Sequence, residues 1–242
     1  MKYFTEKSHR VHFELMKQEH LKLRGLRISE NPAYRIIHIS DIHYKGDKRS
    51  LFELIDLIHM QKPDLVCFTG DLAKGKKYEK DVLEILGNLK VPLYGVPGNW
   101  DYRNKLDFKA ALSCFESTGG KWLVDGYCVT ADNSLMIIGA TGKDISWIPD
   151  DCSGKRILLV HYPKFVDKLA DLKFDLILAG HSHGGQVRLP YIGAIMVPYG
   201  VGKYDLGLFK TKNGHLHVTS GIGTSAFPLR FRCPPEIVVI EF

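Results

Sequence analysis

The 242-residue chain has no long hydrophobic segment and few cysteines. No apolar run approaches the ~20 residues needed to span a bilayer, and residues 1–10 lack the apolar stretch of a signal peptide. The cysteines form no CxxC pair, which argues against a zinc ribbon or a disulfide framework. They are Cys67, Cys114, Cys128, Cys152 and Cys233. We therefore expect reduced thiols and a cytoplasmic protein, with peripheral contact at the inner membrane face left open.

The chain also lacks internal repeats, low-complexity tracts and a linker. Its length fits one large domain covering residues 1–242. The formal net charge of +6 comes from scattered basic residues without a Lys/Arg run, so the sequence argues against a nucleic-acid partner. The pattern does not specify an oligomeric state.

Residues 1–30 alternate apolar and polar side chains, with Val11, Phe13 and Leu15 on one face and Leu21 and Leu23 repeating the pattern. This alternation favours a hairpin that leads into the first core strand. An amphipathic helix that could lie on a membrane surface is the alternative.

The next part of the chain alternates strands with helices. Helical spacing of apolar residues recurs from Leu51 to Ile58, from Val82 to Leu89 and from Phe108 to Phe115, each time after a short apolar run. This order predicts parallel strands joined by helical crossovers.

From about Trp122 the sequence changes to short strands separated by Gly and Pro. The predicted strands are residues 127–130, 135–138, 157–160, 176–178, 186–189, 204–209, 215–218 and 237–240. We expect them to build a second, mixed sheet. The predicted fold is α/β, with two mixed β-sheets packed together and flanked by helices.

Five of the apolar runs end in side chains that can bind metal ions. These side chains are Asp41, His43, Asp71, Asn99, His161, His181 and His183. In open α/β sheets, ligands bind beyond the carboxyl ends of the strands, so seven such residues at five strand ends predict one shared site. Hard oxygens combined with imidazoles suit Mn²⁺, Fe or Zn²⁺ better than Ca²⁺. We expect Gly70, Gly98 and Gly180 to adopt backbone angles that only glycine takes readily.

The motifs Asp41-x-His43, Gly70-Asp71, Gly98-Asn99, His161 and Gly180-His181-Ser182-His183 resemble those of the calcineurin-like metallophosphoesterases, in the same order and over nearly the whole chain. The resemblance implies a four-layer αββα sandwich and two divalent or trivalent metal ions, with Mn²⁺ preferred and Fe or Zn²⁺ possible.

By this resemblance, Asp41, His43, Asp71 and His183 hold one ion, and Asp71, Asn99, His161 and His181 hold the other. The implied nucleophile is a hydroxide that bridges the two metals, and Asp71, Asn99 and His161 are the expected catalytic residues. The closing stretch, residues 221–232, looks like that of bacterial small phosphodiesterases, a subgroup that includes an alternative UDP-2,3-diacylglucosamine hydrolase.

The chain departs from the family pattern at Trp100, where a histidine usually follows the asparagine. That histidine generally contacts phosphate and helps to protonate the leaving group, and an indole cannot donate a catalytic proton at neutral pH. The departure argues against phosphoprotein phosphatase activity and favours a pyrophosphate, or a diester with a good leaving group. Trp100 and Arg188 are the predicted substrate-binding residues. Asp101 is expected to cap the helix that follows.

The expected substrate is a phosphorylated small molecule or a lipid-linked nucleotide. The specific candidate is UDP-2,3-diacylglucosamine, which would give UMP and diacylglucosamine 1-phosphate in lipid A synthesis. Two alternatives remain open at this point: a general phosphodiesterase or nuclease of the same fold, and a non-catalytic metal-binding interaction protein.

Overall fold

The computed structural model of the chain describes residues 3–4, 21–142, 145–149, 154–225 and 227–242. Two mixed β-sheets pack face to face. The core between them is formed by alternate strand residues, such as Ile36 and Cys67 from one sheet and Ile137 and Leu159 from the other. This arrangement confirms the predicted α/β fold of two packed mixed sheets flanked by helices.

Within the described ranges, the first sheet has seven strands. They are β1 (Tyr3–Phe4), β2 (Lys22–Arg27), β3 (Arg35–Ile39), β4 (Leu65–Phe68), β5 (Leu93–Gly95), β6 (Lys121–Trp122) and β15 (Glu236–Glu241). Their order is β1-β2-β15-β3-β4-β5-β6. Strands β3, β4 and β5 run parallel, as predicted, and β6, which was not predicted, continues the parallel order. Of the predicted N-terminal hairpin, residues 5–20 lie outside the described part, while β2 pairs antiparallel with β1.

The prediction that residues 237–240 belong to the second sheet was wrong. Strand β15 lies in the first sheet, parallel to β2 and antiparallel to β3. Residues Ile237 to Ile240 are fully buried on both faces, so their hydrophobic run identifies a central strand without indicating which sheet contains it.

In the part of the chain that the structure describes, four α-helices follow strands of the first sheet. They are α1 (Lys48–Met60), α2 (Glu79–Leu86), α3 (Asn99–Arg103) and α4 (Phe108–Ser117). Helix α1 begins where the Asp47 side chain accepts a hydrogen bond from the Ser50 amide, at 3.1 Å. Its apolar stripe, including Leu54 and Ile58, packs against the outer face of this sheet. The three predicted helices are confirmed, and the short α3 was not predicted.

The described residues form six strands of the second sheet. They are β7 (Gly126–Val129), β8 (Leu135–Ala140), β9 (Lys155–Val160), β10 (Leu176–Ala179), β13 (Gly207–Thr211) and β14 (Gly214–Val218). Their order is β13-β14-β10-β9-β8-β7. A 3₁₀ helix, Pro163–Lys168, covers its outer face through Phe165 and Val166, which provides the fourth layer.

The prediction that residues 186–189 join the second sheet was also wrong. Arg188–Leu189 forms strand β11, which pairs with β12 (Gly193–Ala194) in a separate two-stranded hairpin. Leu189 and Ile192 in this hairpin are exposed, so the segment projects from the body of the protein.

No helix within the described ranges is long and apolar enough to cross a membrane. Of the cysteines, Cys152 lies outside the described residues, and no disulfide joins the other four.

Candidate metal centre

The two sheets contribute side chains to one site at the carboxyl ends of five strands. Asp41 and His43 follow β3, Asp71 follows β4, and Asn99 begins α3 after β5. The second sheet supplies three histidines beyond β9 and β10. They are His161, His181 and His183. Hydrogen bonds connect the loops, including one from the His181 amide to Asp41 Oδ2 at 2.9 Å. All seven predicted ligand residues therefore meet at the shared edge.

One group that could hold a metal ion comprises Asp41, His43 and His183, all buried. The Nε2 atoms of the two histidines lie 3.1 Å apart, and His183 Nε2 lies 3.3 Å from Asp41 Oδ1. Two imidazole nitrogens and a carboxylate oxygen thus converge on one point, as in a metal site.

The second group lies beside the first. Asp41, Asp71 and His161 place one possible ligand atom each within 4.8 Å of one another. His161 Nε2 is also 2.9 Å from Asn99 Oδ1 and 3.1 Å from His181 Nδ1. The asparagine and His181 therefore face this second group, and the assignment of each ligand to one ion stays an expectation from the family resemblance.

Asp71 lies between the two groups. Its Oδ2 is 3.5 Å from His43 Nε2 and 3.6 Å from His161 Nε2, while Oδ1 accepts a hydrogen bond from the Trp100 amide at 2.7 Å. One oxygen of this carboxylate thus reaches both groups and the other is held by the backbone. This is the position that a bridging ligand requires.

Backbone carbonyls orient two of the histidines. His161 Nδ1 lies 2.7 Å from the carbonyl of Thr69, and His181 Nε2 lies 2.8 Å from that of Tyr199. A ring nitrogen that contacts a carbonyl carries the proton. His161 Nε2 and His181 Nδ1 are therefore unprotonated, and their lone pairs point into the site. Sequence reasoning did not identify Thr69 or Tyr199, because their backbone atoms act and their side chains do not.

The charges at the site favour cations. Burial, together with the neighbouring carboxylates of Asp41 and Asp101, raises the pKa of Asp71 well above its usual range. Burial lowers the pKa of His43 and His183 well below the usual value, so both are neutral and able to bind metal at neutral pH.

The donor atoms fit metal ions. Asp41 Oδ1 is buried and accepts no hydrogen bond from any described residue, although an unsatisfied buried carboxylate oxygen is costly. A divalent cation would satisfy this atom and relieve the repulsion between the carboxylates. Two such ions would polarise phosphoryl oxygens and make a bound water more acidic.

Five of the seven ligand residues have left-handed backbone conformations. Their φ angles are 52° for Asp41, 44° for His43, 64° for Asp71, 65° for His181 and 49° for His183. Such angles cost about 1 kcal/mol or more for residues other than glycine and are concentrated at functional sites. The backbone strain therefore lies in the ligand residues themselves.

The glycine prediction is confirmed for Gly70, whose φ is +99°, and wrong for Gly98 and Gly180, which do not have positive φ. Close approach explains those two glycines. A Cβ on Gly98 would lie 2.2 Å from Asp71 Oδ1, and one on Gly180 would lie 1.9 Å from Ser40 Oγ. Here glycine provides space next to the ligands.

Asp101 stabilises the loop that carries Asp71. Its buried carboxylate accepts hydrogen bonds from the amides of Gly98, Asp71 and Leu72 at 2.7, 2.8 and 2.9 Å. The bond from Gly98 closes a capping box at the start of α3, which itself contains Asp101, and the other two fix the backbone at the bridging residue. The prediction that Asp101 caps the helix that follows it was wrong, because Asp107 caps α4.

Arg230 fixes the 220–223 loop, a role that sequence reasoning did not identify. Its buried guanidinium donates to the carbonyls of Ser220 at 2.7 Å and Gly223 at 2.6 Å. This loop in turn donates from Gly223 N to the Asp41 carbonyl at 2.7 Å. A Cβ on Gly223 would lie 2.9 Å from the His43 Cβ, so the loop packs directly on the ligand segment.

The two predicted substrate-binding residues have different surroundings. Trp100 lies next to the site, with its ring 5.6 Å from that of His43 and with Lys74 Nζ 4.1 Å from its centroid. Arg188 forms an ion pair with Asp205 at 2.7 Å and anchors the β11–β12 hairpin. Contact of either residue with substrate stays a prediction.

Comparison with known proteins agrees with this geometry. The family model of the calcineurin-like phosphoesterases matches residues 34–185. The chain belongs to this family. It is 32% identical to the uncharacterised metallophosphoesterase YkuE of Bacillus subtilis over 86% of this chain and 78% of that protein. It is 27% identical to phosphodiesterase YaeI of Escherichia coli, with coverage of 86% and 82%.

Solved structures have the same fold. TT1561 of Thermus thermophilus has a TM-score of 0.52 at 12% identity and covers 78% of this chain and 89% of its own. A dimetal phosphatase from Danio rerio has a TM-score of 0.50 at 10% identity, with coverage of 78% and 88%. The family and the two ligand groups together support a metal-dependent phosphoester hydrolase with a dinuclear site for divalent ions.

Proposed function

We propose that this enzyme hydrolyses a phosphodiester or pyrophosphate bond whose leaving group departs without a proton. Trp100 is the observation that carries the proposal. It follows Asn99 directly and its amide is bonded to Asp71, so its side chain occupies the border of the metal centre. An indole does not act as a general acid, whereas a phosphate leaving group, with a second pKa of about 6, needs no protonation.

Nearby cations support the same proposal. Lys74 Nζ and Arg103 Cζ lie 4.1 and 5.0 Å from the centroid of the Trp100 ring. Positive charges at this position would stabilise a leaving group that departs as an anion. In this proposal Asp71, Asn99 and His161 surround the reacting phosphate, and Trp100 contacts the substrate.

We further propose a lipid-linked nucleotide as the substrate, with UDP-2,3-diacylglucosamine as the candidate to test and Mn²⁺ as the preferred metal. Exposed apolar side chains near the site, including Met196 and Phe227, support an amphipathic substrate and peripheral contact with a membrane face. The carboxylate and imidazole ligands suit Mn²⁺.

The decisive experiment measures UMP release from UDP-2,3-diacylglucosamine by the Mn²⁺-loaded protein, with Asp71→Asn as the blank. Release that is lost in the variant would establish the reaction and the substrate. Absence of release, in a protein that holds two metals and cleaves a nitrophenyl phosphodiester, would reject this lipid substrate and retain the phosphodiesterase. Efficient hydrolysis of phosphoserine peptides would contradict the leaving-group argument.

A further inference from the structure

Large apolar side chains are exposed mainly in one region. Nine of the fifteen exposed large apolar side chains among the described residues belong to two short segments, 189–199 and 227–231. Between these segments runs a cavity of about 450 Å³, which we call the apolar groove. Its walls are Ile195, Met196, Val197 and Pro198 on one side and Phe227 and Leu229 on the other.

The described lining of the groove contains no Asp, Glu, Lys or Arg. Apart from His183 of the metal centre, its largest polar side chain is Gln186, which is fully engaged by the groove's own backbone. The amide nitrogen donates to the carbonyls of Phe227 and Leu229 at 2.8 and 2.9 Å, and the amide oxygen accepts from Ser225 N at 2.7 Å. The groove therefore offers little to a charged or hydrogen-bonding ligand, and its chemistry fits a hydrocarbon.

The groove is built into the fold. The Gln186 hydrogen bonds fasten the 227–229 wall, and the Arg188–Asp205 ion pair fastens the hairpin that leads into the other wall. Gly185 allows that wall to approach, because a Cβ there would lie 2.5 Å from the Ala194 Cβ and 2.8 Å from the Met196 carbonyl. The apolar surface is thus held open at a fixed place.

The groove adjoins the metal centre. His183, a member of the first ligand group, lines it together with Ser182. A separate cavity of about 390 Å³ adjoins His161 of the second group, and its lining combines the charged residues Lys164, Asp167 and Lys168 with apolar residues such as Phe165. The two cavities therefore differ in polarity, and each is next to one ligand group.

We propose that the apolar groove binds an acyl chain of the substrate, while the cavity beside His161 takes the polar part. This inference rests on the proposed function, because the occupant is identified as one end of the molecule whose phosphate reacts at the metals. It assigns the substrate an order: hydrocarbon beside His183, phosphate at the metal pair and polar group beside Lys164 and Lys168.

The test is fluorescence titration of the metal-loaded protein with dansyl-labelled undecanoate, compared with shorter dansyl-labelled acids. We expect saturable binding that strengthens about three- to four-fold per methylene until the groove is filled. Met196→Gln should weaken binding about ten-fold, because it places an amide in a hydrocarbon site. Met60→Gln is the matched control, since Met60 is 61% exposed and Met196 68%, and Met60 lies outside the groove.

Two further measurements distinguish binding in the groove from binding to the exposed hairpin, which could instead contact a bilayer, and test the reaction independently. Ile192→Ser, at the exposed hairpin turn, should leave probe binding unchanged. Loss of binding in Ile192→Ser, or equal binding by Met196→Gln and wild type, would overturn the acyl site. Hydrolysis of a nitrophenyl phosphodiester, measured in parallel, reports on the proposed function. Probe binding without that hydrolysis would support the acyl site and reject the proposed reaction. Hydrolysis without probe binding would support the reaction and reject the acyl site.

Discussion

Replacement of Trp100 by histidine should add activity against substrates with poor leaving groups. The side chain at position 100 borders the metal centre, with its ring 5.6 Å from that of His43. A histidine there could donate the proton that a departing alkoxide needs. General acid catalysis typically contributes 10²–10⁴-fold when the donor is well oriented.

Asp101 limits the size of this gain. Its two carboxylate oxygens already accept hydrogen bonds from three backbone amides, so Asp101 is not available to orient a new imidazole. Asp101 could do so only by releasing the loop that holds Asp71. We therefore expect an increase at the low end, about ten- to a hundred-fold in kcat/KM, which corresponds to about 1.4–2.8 kcal/mol of transition-state stabilisation.

The assay compares Mn²⁺-loaded wild type, Trp100→His and Trp100→Phe on a phosphoserine peptide and on a nitrophenyl phosphodiester. Trp100→His should raise kcat/KM for the peptide and change that for the nitrophenyl substrate little, because nitrophenolate leaves without a proton. Trp100→Phe removes the indole without supplying an acid and should leave the ratio of the two activities unchanged. Equal gains on both substrates, or the same gain in Trp100→Phe, would refute the reasoning.

Three further predictions follow from the buried polar groups. Removal of the metals by a chelator should lower the melting temperature. Mn²⁺ at a hundred times its Kd should then restore about 3 kcal/mol of unfolding free energy in wild type and much less in Asp71→Asn. Equal recovery of the two proteins in calorimetry would contradict a bridging role for Asp71. Burial lowers the pKa of His217 to about 4 in the folded protein. As the pH falls below about 6.5, this histidine is protonated in the unfolded chain but not in the folded one, which favours unfolding. The unfolding free energy should therefore fall by about 2 kcal/mol between neutral pH and pH 5. Urea unfolding of His217→Leu should show a shallower acid slope, and an unchanged slope would exclude this histidine as the cause. Arg230→Lys should weaken Mn²⁺ binding in calorimetry about ten-fold by loosening the 220–223 loop, whereas wild-type affinity would show that this loop does not position Asp41.

The parts of the fold and site that sequence predicts best are those with local signals. The spacing of Leu51, Leu54, Ile55 and Ile58 identifies α1 because burial of one helical face needs that period. The seven ligand residues could be identified because each follows an apolar run and the ends of parallel strands meet at one edge.

The strands that were assigned to the wrong sheet show that an apolar run predicts a strand but not its neighbours in the sheet. Residues 237–240 and 157–160 are both apolar runs, yet they belong to different sheets, since a buried run does not encode its neighbours. The Asp101 and Arg230 contacts were missed for a related reason: both side chains bind backbone atoms, which have no signature in sequence.

The left-handed angles at the five ligand residues connect metal supply to the lifetime of the protein. At about 1 kcal/mol each they cost roughly 5 kcal/mol together, which is comparable to the whole folding free energy of a small domain. Binding of the ions offsets this free-energy cost of the strained backbone. The metal-free chain should therefore unfold more often and be cleaved more readily by proteases. In a metal-starved cell this enzyme should therefore disappear rather than persist as an idle reserve, and its abundance should rise and fall with the metal available to it.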